Sequence, residues 1–127
     1  WPIVGAVTSP SIYPKSLCLA EARKLDSGSD HMVTKVTQLR SLLQNASSTD
    51  TVIYFHCDAG MDRTGEMYGD YMMTFQNQTY QEVYDFDNTI EGAGGRKIHT
   101  VSKQGLEWMC LYLQQKGRFD PQCNMCQ

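Results

Sequence analysis

Apolar residues recur along this chain in two rhythms, and the change of rhythm marks its most unusual segment. Val33, Val36, Leu39 and Leu43 return at helical spacing, which predicts an amphipathic helix over about 31–45. Ser27-Gly28-Ser29-Asp30 before it reads as a loop with Asp30 as the helix cap, and Ser47 to Asp50 read as a turn. Val52-Ile53-Tyr54-Phe55 is instead a continuous apolar, β-rich run, the pattern of a central strand buried on both faces. Beyond it Met67, Tyr71, Met72 and Phe75 predict a second helix. Thr79-Tyr80-Gln81-Glu82 has the form of a capping box that starts a third. Leu106, Met109, Cys110 and Leu113 mark a last helix that ends near Gly117. Residues 3–8 read as a short strand broken by Pro10 and Pro14, and the glycine-rich 92–95 as a loop. A buried strand between helices predicts an α/β domain, with a central, mostly parallel sheet flanked by helices.

The 127 residues amount to one domain, 1–127, with its core over about 20–116 and a cysteine-bearing tail over 117–127. A net charge of -3 argues against nucleic acid as partner, since phosphate backbones select concentrated Lys and Arg. No apolar run approaches the length of a membrane span. Five cysteines, Cys18, Cys57, Cys110, Cys123 and Cys126, leave at least one thiol unpaired within the chain, and Cys57 is the candidate. The other four suit two disulfides or four thiols; Cys123 and Cys126 suit a tail disulfide, a link from the tail to Cys110, or idle thiols. Two sequons, at Asn45 and Asn77, fit a secretory compartment, and thiols with chance sequons fit the cytosol, so both settings stay open. His31 and His99 stand outside any spaced ligand cluster and read as surface or capping residues, with no metal expected. Tyr68, Tyr71, Tyr80, Tyr84 and Tyr112 recur at helical spacing and read as packing residues.

The chemistry concentrates in His56-Cys57-Asp58-Ala59-Gly60-Met61-Asp62-Arg63-Thr64-Gly65, directly after the β-rich run. A glycine-bearing loop entering a helix can turn successive backbone N–H groups toward one point and cradle an anion. A cysteine at its start has its thiolate stabilised by those donors. Arg63, six residues on, can bind two oxygens of one phosphate. Thr64 can donate to the thiolate and improve it as a leaving group. A nucleophile at the base of an oxyanion cradle is the layout for transfer through a phosphocysteine, with Asp58, Ala59, Gly60, Met61, Asp62 and Arg63 as the phosphate-binding residues and no cofactor.

His-Cys-x5-Arg-Thr-Gly in this setting resembles the loop of the protein-tyrosine-phosphatase superfamily, and the resemblance covers roughly residues 20–116. It implies that family's fold, its two-step mechanism, and a phosphoprotein or phosphoinositide as substrate. It implies that His56 orients the loop, and that a general acid lies about thirty residues before the cysteine, where Asp26 stands. A polar residue on a later helix faces the active site in dual-specificity and tensin-type phosphatases, and Gln104, 47 residues after Cys57, is the candidate for positioning water. Asp62 before the arginine is similar to the loops of myotubularin and Sac phosphoinositide phosphatases and competes with Asp26 as acid. Asp58 and Asp62 weaken the case for a highly phosphorylated inositol lipid. The family has further strands before the acid loop, so the sheet is expected to be N-terminally incomplete or reduced, in part of a longer chain or assembly. Two rivals accompany the phosphatase reading: an inactive structural or phospho-binding module, and sulfur chemistry of the arsenate-reductase or rhodanese kind, which the Arg-Thr-Gly ending disfavours.

Overall fold

The computed structural model describes residues 1–45, 52–89 and 96–127. Regular structure among them is all helical: α1 (Lys15–Arg23), α2 (Met32–Gln44), α3 (Asp62–Phe75), α4 (Tyr80–Thr89) and α5 (Thr100–Gln115), with 3-10 turns at Pro10–Ile12, Leu25–Ser27 and Pro121–Cys123. The expected α/β architecture is therefore corrected, because no strand forms among the described residues. The physical reason lies in pairing: a strand is stabilised only when a neighbour takes its backbone N–H and C=O groups. Val52 to Phe55 run without helix, turn or bend, and their backbone meets no hydrogen-bond partner among the described residues. Far from being buried on both faces, Val52 and Tyr54 are 90% and 83% exposed. The strand expected over 3–8 is absent too; there Ala6 N–H donates to Val101 O at 2.9 Å.

The helices follow the sequence more closely. The Thr79–Glu82 box closes at the start of α4, with Thr79 N–H donating to Glu82 Oε2 at 2.7 Å and Glu82 N–H to Thr79 Oγ1 at 3.2 Å. Gly117, at φ 94°, terminates α5 by letting Arg118 N–H return to Leu113 O at 3.1 Å. Asp30 does not cap α2. Its carboxylate instead accepts Val4 N–H at 3.0 Å and Gly5 N–H at 2.8 Å, while His31 occupies the cap in the left-handed region at φ 47°. The turn expected at Ser47–Asp50, the loop at 92–95 and most of the Asn45 sequon lie outside the described residues.

α5 is the central helix, packed against α1, α3 and α4, and α3 also rests on α2 and α4. Val36, Met73, Val83, Leu106 and Met109 make the main core, and Cys18, Ala22, Trp108 and Leu111 a second cluster under α1. Gly69 sets the closeness of α3: a Cβ there would sit 2.3 Å from Val83 Cγ1 and 2.6 Å from Leu106 Cδ2. Of the tyrosines, Tyr68 stacks on Phe86 and Tyr80 on Tyr84, as their spacing suggested. Two disulfides, Cys18–Cys126 and Cys110–Cys123, fasten the C-terminal tail to α1 and α5 and leave Cys57 free. Asp120 lies within metal-ligand reach of Cys110 and Cys123, but those two sulfurs are bonded to each other, and the Asp120 carboxylate receives the N–H of Tyr80 and of Gln122. Among the described residues no helix is long and apolar enough to cross a membrane.

Candidate active site

The loop from His56 to Met61 follows the Val52–Phe55 run and enters α3 at Asp62. Its reversal needs Gly60, at φ 69°, a conformation that L side chains rarely adopt. Thr64, in the first turn of α3, then closes the loop from inside. Its hydroxyl accepts Cys57 N–H at 2.9 Å and donates to Cys57 Sγ at 3.3 Å. One side chain thereby fixes both the backbone and the sulfur of the same residue. His56 Nδ1 lies 3.2 Å from Cys57 O, a contact that fits an orienting role.

Electrostatics at the sulfur follow from this packing. Partial burial pushes the Cys57 thiol up, but the Thr64 hydroxyl and the backbone N–H groups of Thr64, Gly60 and Met61 outweigh it and bring its pKa down to about 7. The thiolate is therefore far more accessible near neutral pH than in an unperturbed thiol, which would be almost wholly protonated. Donors from the loop and the helix start converge on one sulfur, as an anion cradle requires.

Cys57, Arg63 and Thr64 line a cleft of about 480 Å³. Its remaining lining comes from Trp1, Ile3, Leu39, Leu42, Ile53, Phe55 and Met67 among others, so the polar group sits in a mostly apolar cleft. Arg63 is exposed and has no ion-pair partner among the described residues, which leaves its guanidinium available to an arriving anion.

The remaining candidates are placed differently. Asp58 and Ala59 are exposed on the loop, Gly60 is half-buried and Met61 is buried. Asp26 sits on the exposed Leu25–Ser27 turn, where Thr34 Oγ1 approaches its carboxylate at 3.5 Å, and it does not line the cleft. Gln104 does not line it either. Its amide bridges the N-terminal segment, nitrogen toward Ala6 O at 2.7 Å and oxygen toward Ser9 N at 3.2 Å. Asp62 is committed elsewhere: Arg96 grips both its oxygens, at 2.9 and 2.6 Å, and His99 N–H donates to Oδ1 at 2.6 Å. The hydrogen bond from Arg96, then the His99 N–H and nearby positive charge, outweigh burial and hold the Asp62 carboxyl below the usual carboxylate range. Sequence reasoning missed Arg96, whose partner is 34 residues away and is signalled by no local pattern.

It also missed a buried acidic group behind the loop. Glu66 and Asp70, 2% and 1% exposed, face inward one turn apart on α3 and, with Asp30, line a cavity of about 110 Å³. Glu66 Oε2 and Asp70 Oδ1 have no hydrogen-bond partner among the described residues. Burial raises Glu66 to about 8, reinforced by Asp30 and only partly offset by Ser102 and Lys35. Burial, with Glu66, Asp87 and Asp30 adding like charge, raises Asp70 well above its ordinary value. Burial thus favours the protonated form of both carboxyls, and neither lines the Cys57 cleft. Compared with known proteins, the chain matches no family model, no curated protein and no solved structure.

Proposed function

We propose that the chain hydrolyses phosphate monoesters through a phosphocysteine on Cys57, in the manner of the protein-tyrosine-phosphatase superfamily that its loop resembles. The observation that carries this reading is the closed Cys57–Thr64 pair, with loop N–H groups converging on the sulfur and Arg63 in the same cleft. A thiolate held by backbone donors is a nucleophile inside an oxyanion cradle, which a thiol serving only to pack does not need.

The thiolate attacks phosphorus; an S–P bond forms as the bond from phosphorus to the leaving oxygen breaks. Arg63 and the loop amides hold the three remaining oxygens as charge spreads over them. Leaving groups of low basicity, such as aryl oxides, depart without a proton and are protonated by water. Water then attacks phosphorus, the S–P bond breaks, and phosphate leaves with the thiolate restored. Thr64 Oγ1, 3.3 Å from the sulfur, stabilises the thiolate as it departs.

The substrate is a phosphoprotein or a phosphoinositide; of these, the acid-free first step suits an aryl ester, because an alkoxide needs a proton as it leaves. Apolar cleft walls and a single lining guanidinium favour one that presents one phosphate at a time. A second reading, a phosphate-binding module without turnover, is favoured by one observation: neither Asp26 nor Gln104 lines the cleft. Turnover of 4-nitrophenyl phosphate, whose leaving group needs no acid, separates the two. The enzyme reading expects release that Cys57→Ser abolishes; phosphate binding with no release would leave only the module.

A further inference from the structure

Asp62 poses an electrostatic problem for any anion in the loop. It stands between Met61 and Thr64, whose backbone N–H groups both reach the Cys57 sulfur, and directly precedes Arg63. A bare carboxylate there would repel a dianionic ester and offset part of what Arg63 contributes. The structure shows how its charge is met. Arg96 holds both carboxylate oxygens in a bidentate pair, at 2.9 and 2.6 Å, and the backbone N–H of His99 adds a third bond at 2.6 Å. The same carboxylate sits in the first turn of α3, where the positive end of the helix dipole favours it.

We propose that Arg96 is a charge-compensating positioning residue for the phosphate site: by neutralising Asp62 it allows the loop to accept a dianion beside an aspartate. Arg96 does not touch the substrate in this account; it acts through Asp62. The inference rests on the phosphate-binding reading of the loop. It also removes Asp62 from the role of general acid, since both its oxygens are engaged and neither carries a proton to give.

Compensation of charge and simple fastening of the loop predict different patterns of loss. A mere latch fails equally when either partner is removed, and an Arg-to-Lys change breaks its bidentate geometry. Compensation fails only when the aspartate is left naked. The test is calorimetric binding of inorganic phosphate to the Cys57→Ser chain, which needs no turnover. Arg96→Gln should weaken binding about five- to tenfold, the scale of one partly exposed charge beside the site. Arg96→Lys should stay within about twofold, because the charge remains. Asp62→Asn, and Asp62→Asn combined with Arg96→Gln, should bind at least as tightly as the parent. Equal losses in Arg96→Gln and Asp62→Asn, or a double variant no better than Arg96→Gln, would overturn the compensation and leave the phosphatase reading standing. A parent that takes up no phosphate would overturn the reading of the loop, and this inference with it.

Discussion

The two faces of α3 are built by opposite means. Its N-terminal end meets the Cys57 loop, which follows a largely exposed run without regular structure and is held by two hydrogen bonds through Thr64. Its flank meets α4 and α5 so closely that Gly69 has no room for a methyl group, and it buries two acidic side chains there. Polar precision at one end thus stands on steric constraint along the other. A cradle made of backbone donors depends on where the chain is held, and the helix packing holds it.

The largest effect expected from disturbing this contrast is on stability, at the packed flank. Gly69→Val would force its side chain into Val83 and Leu106, and urea unfolding should show a loss of about 3 kcal/mol from overpacking. Little change would mean that α3 and α5 can separate, and that the loop is not anchored as described.

The buried carboxylates come next. The folded chain keeps a proton on Glu66 up to about pH 8, whereas the unfolded chain releases it near the ordinary carboxylate value. A group raised in the folded state contributes stability that is fully present below its unfolded pKa and lost as pH rises through the folded one. Stability should therefore fall as pH rises between about 4.5 and 8. Glu66→Gln should flatten the slope, leaving the part that Asp70 carries. An unchanged slope in that variant would place the titration elsewhere.

At the loop the effects are on rate. Thr64→Val removes the hydroxyl at 3.3 Å from Cys57 Sγ, so the thiol should rise by about one pH unit and turnover should drop about tenfold near neutrality. The ascending limb of the pH–rate profile, set near 7 in the parent, should move to higher pH. A lower rate with an unmoved limb would mean that Thr64 shapes the loop without tuning the sulfur.

The smallest effect is expected at Asp26. Being exposed and outside the cleft, its replacement by Ala should change turnover of phosphotyrosine, whose leaving oxygen is more basic than nitrophenoxide, less than about twofold. A drop of tenfold or more would show that its turn closes over the cleft during reaction, and would restore Asp26 as the acid.

How far the sequence discloses this arrangement depends on the range of each interaction. Loop and helices rest on near neighbours, so Cys57, Thr64 and the Thr79–Glu82 box could be read directly. The helix α1 escaped notice because its buried positions, Cys18 and Ala22, are small and follow two prolines. Val52–Phe55 has every local mark of a buried strand, yet a strand is defined by its neighbour, which local pattern does not supply. Asp30 looked like a cap and instead serves Val4 and Gly5, about 25 residues away. Glu66 and Asp70 left a faint trace: they share a helical face with Gly65, Gly69 and Met73, the small and apolar positions of a buried stripe.

The most direct test of the central claim is to trap the intermediate. The chain, with both disulfides intact and Cys57 as the free thiol, would be mixed with excess 4-nitrophenyl phosphate, quenched in acid within a turnover, digested, and its peptides sequenced by mass spectrometry. A phosphate adduct on the sulfur of Cys57, absent from the Cys57→Ser chain, is the predicted result. Release of nitrophenol with no adduct on Cys57, or undiminished release from Cys57→Ser, would contradict the account.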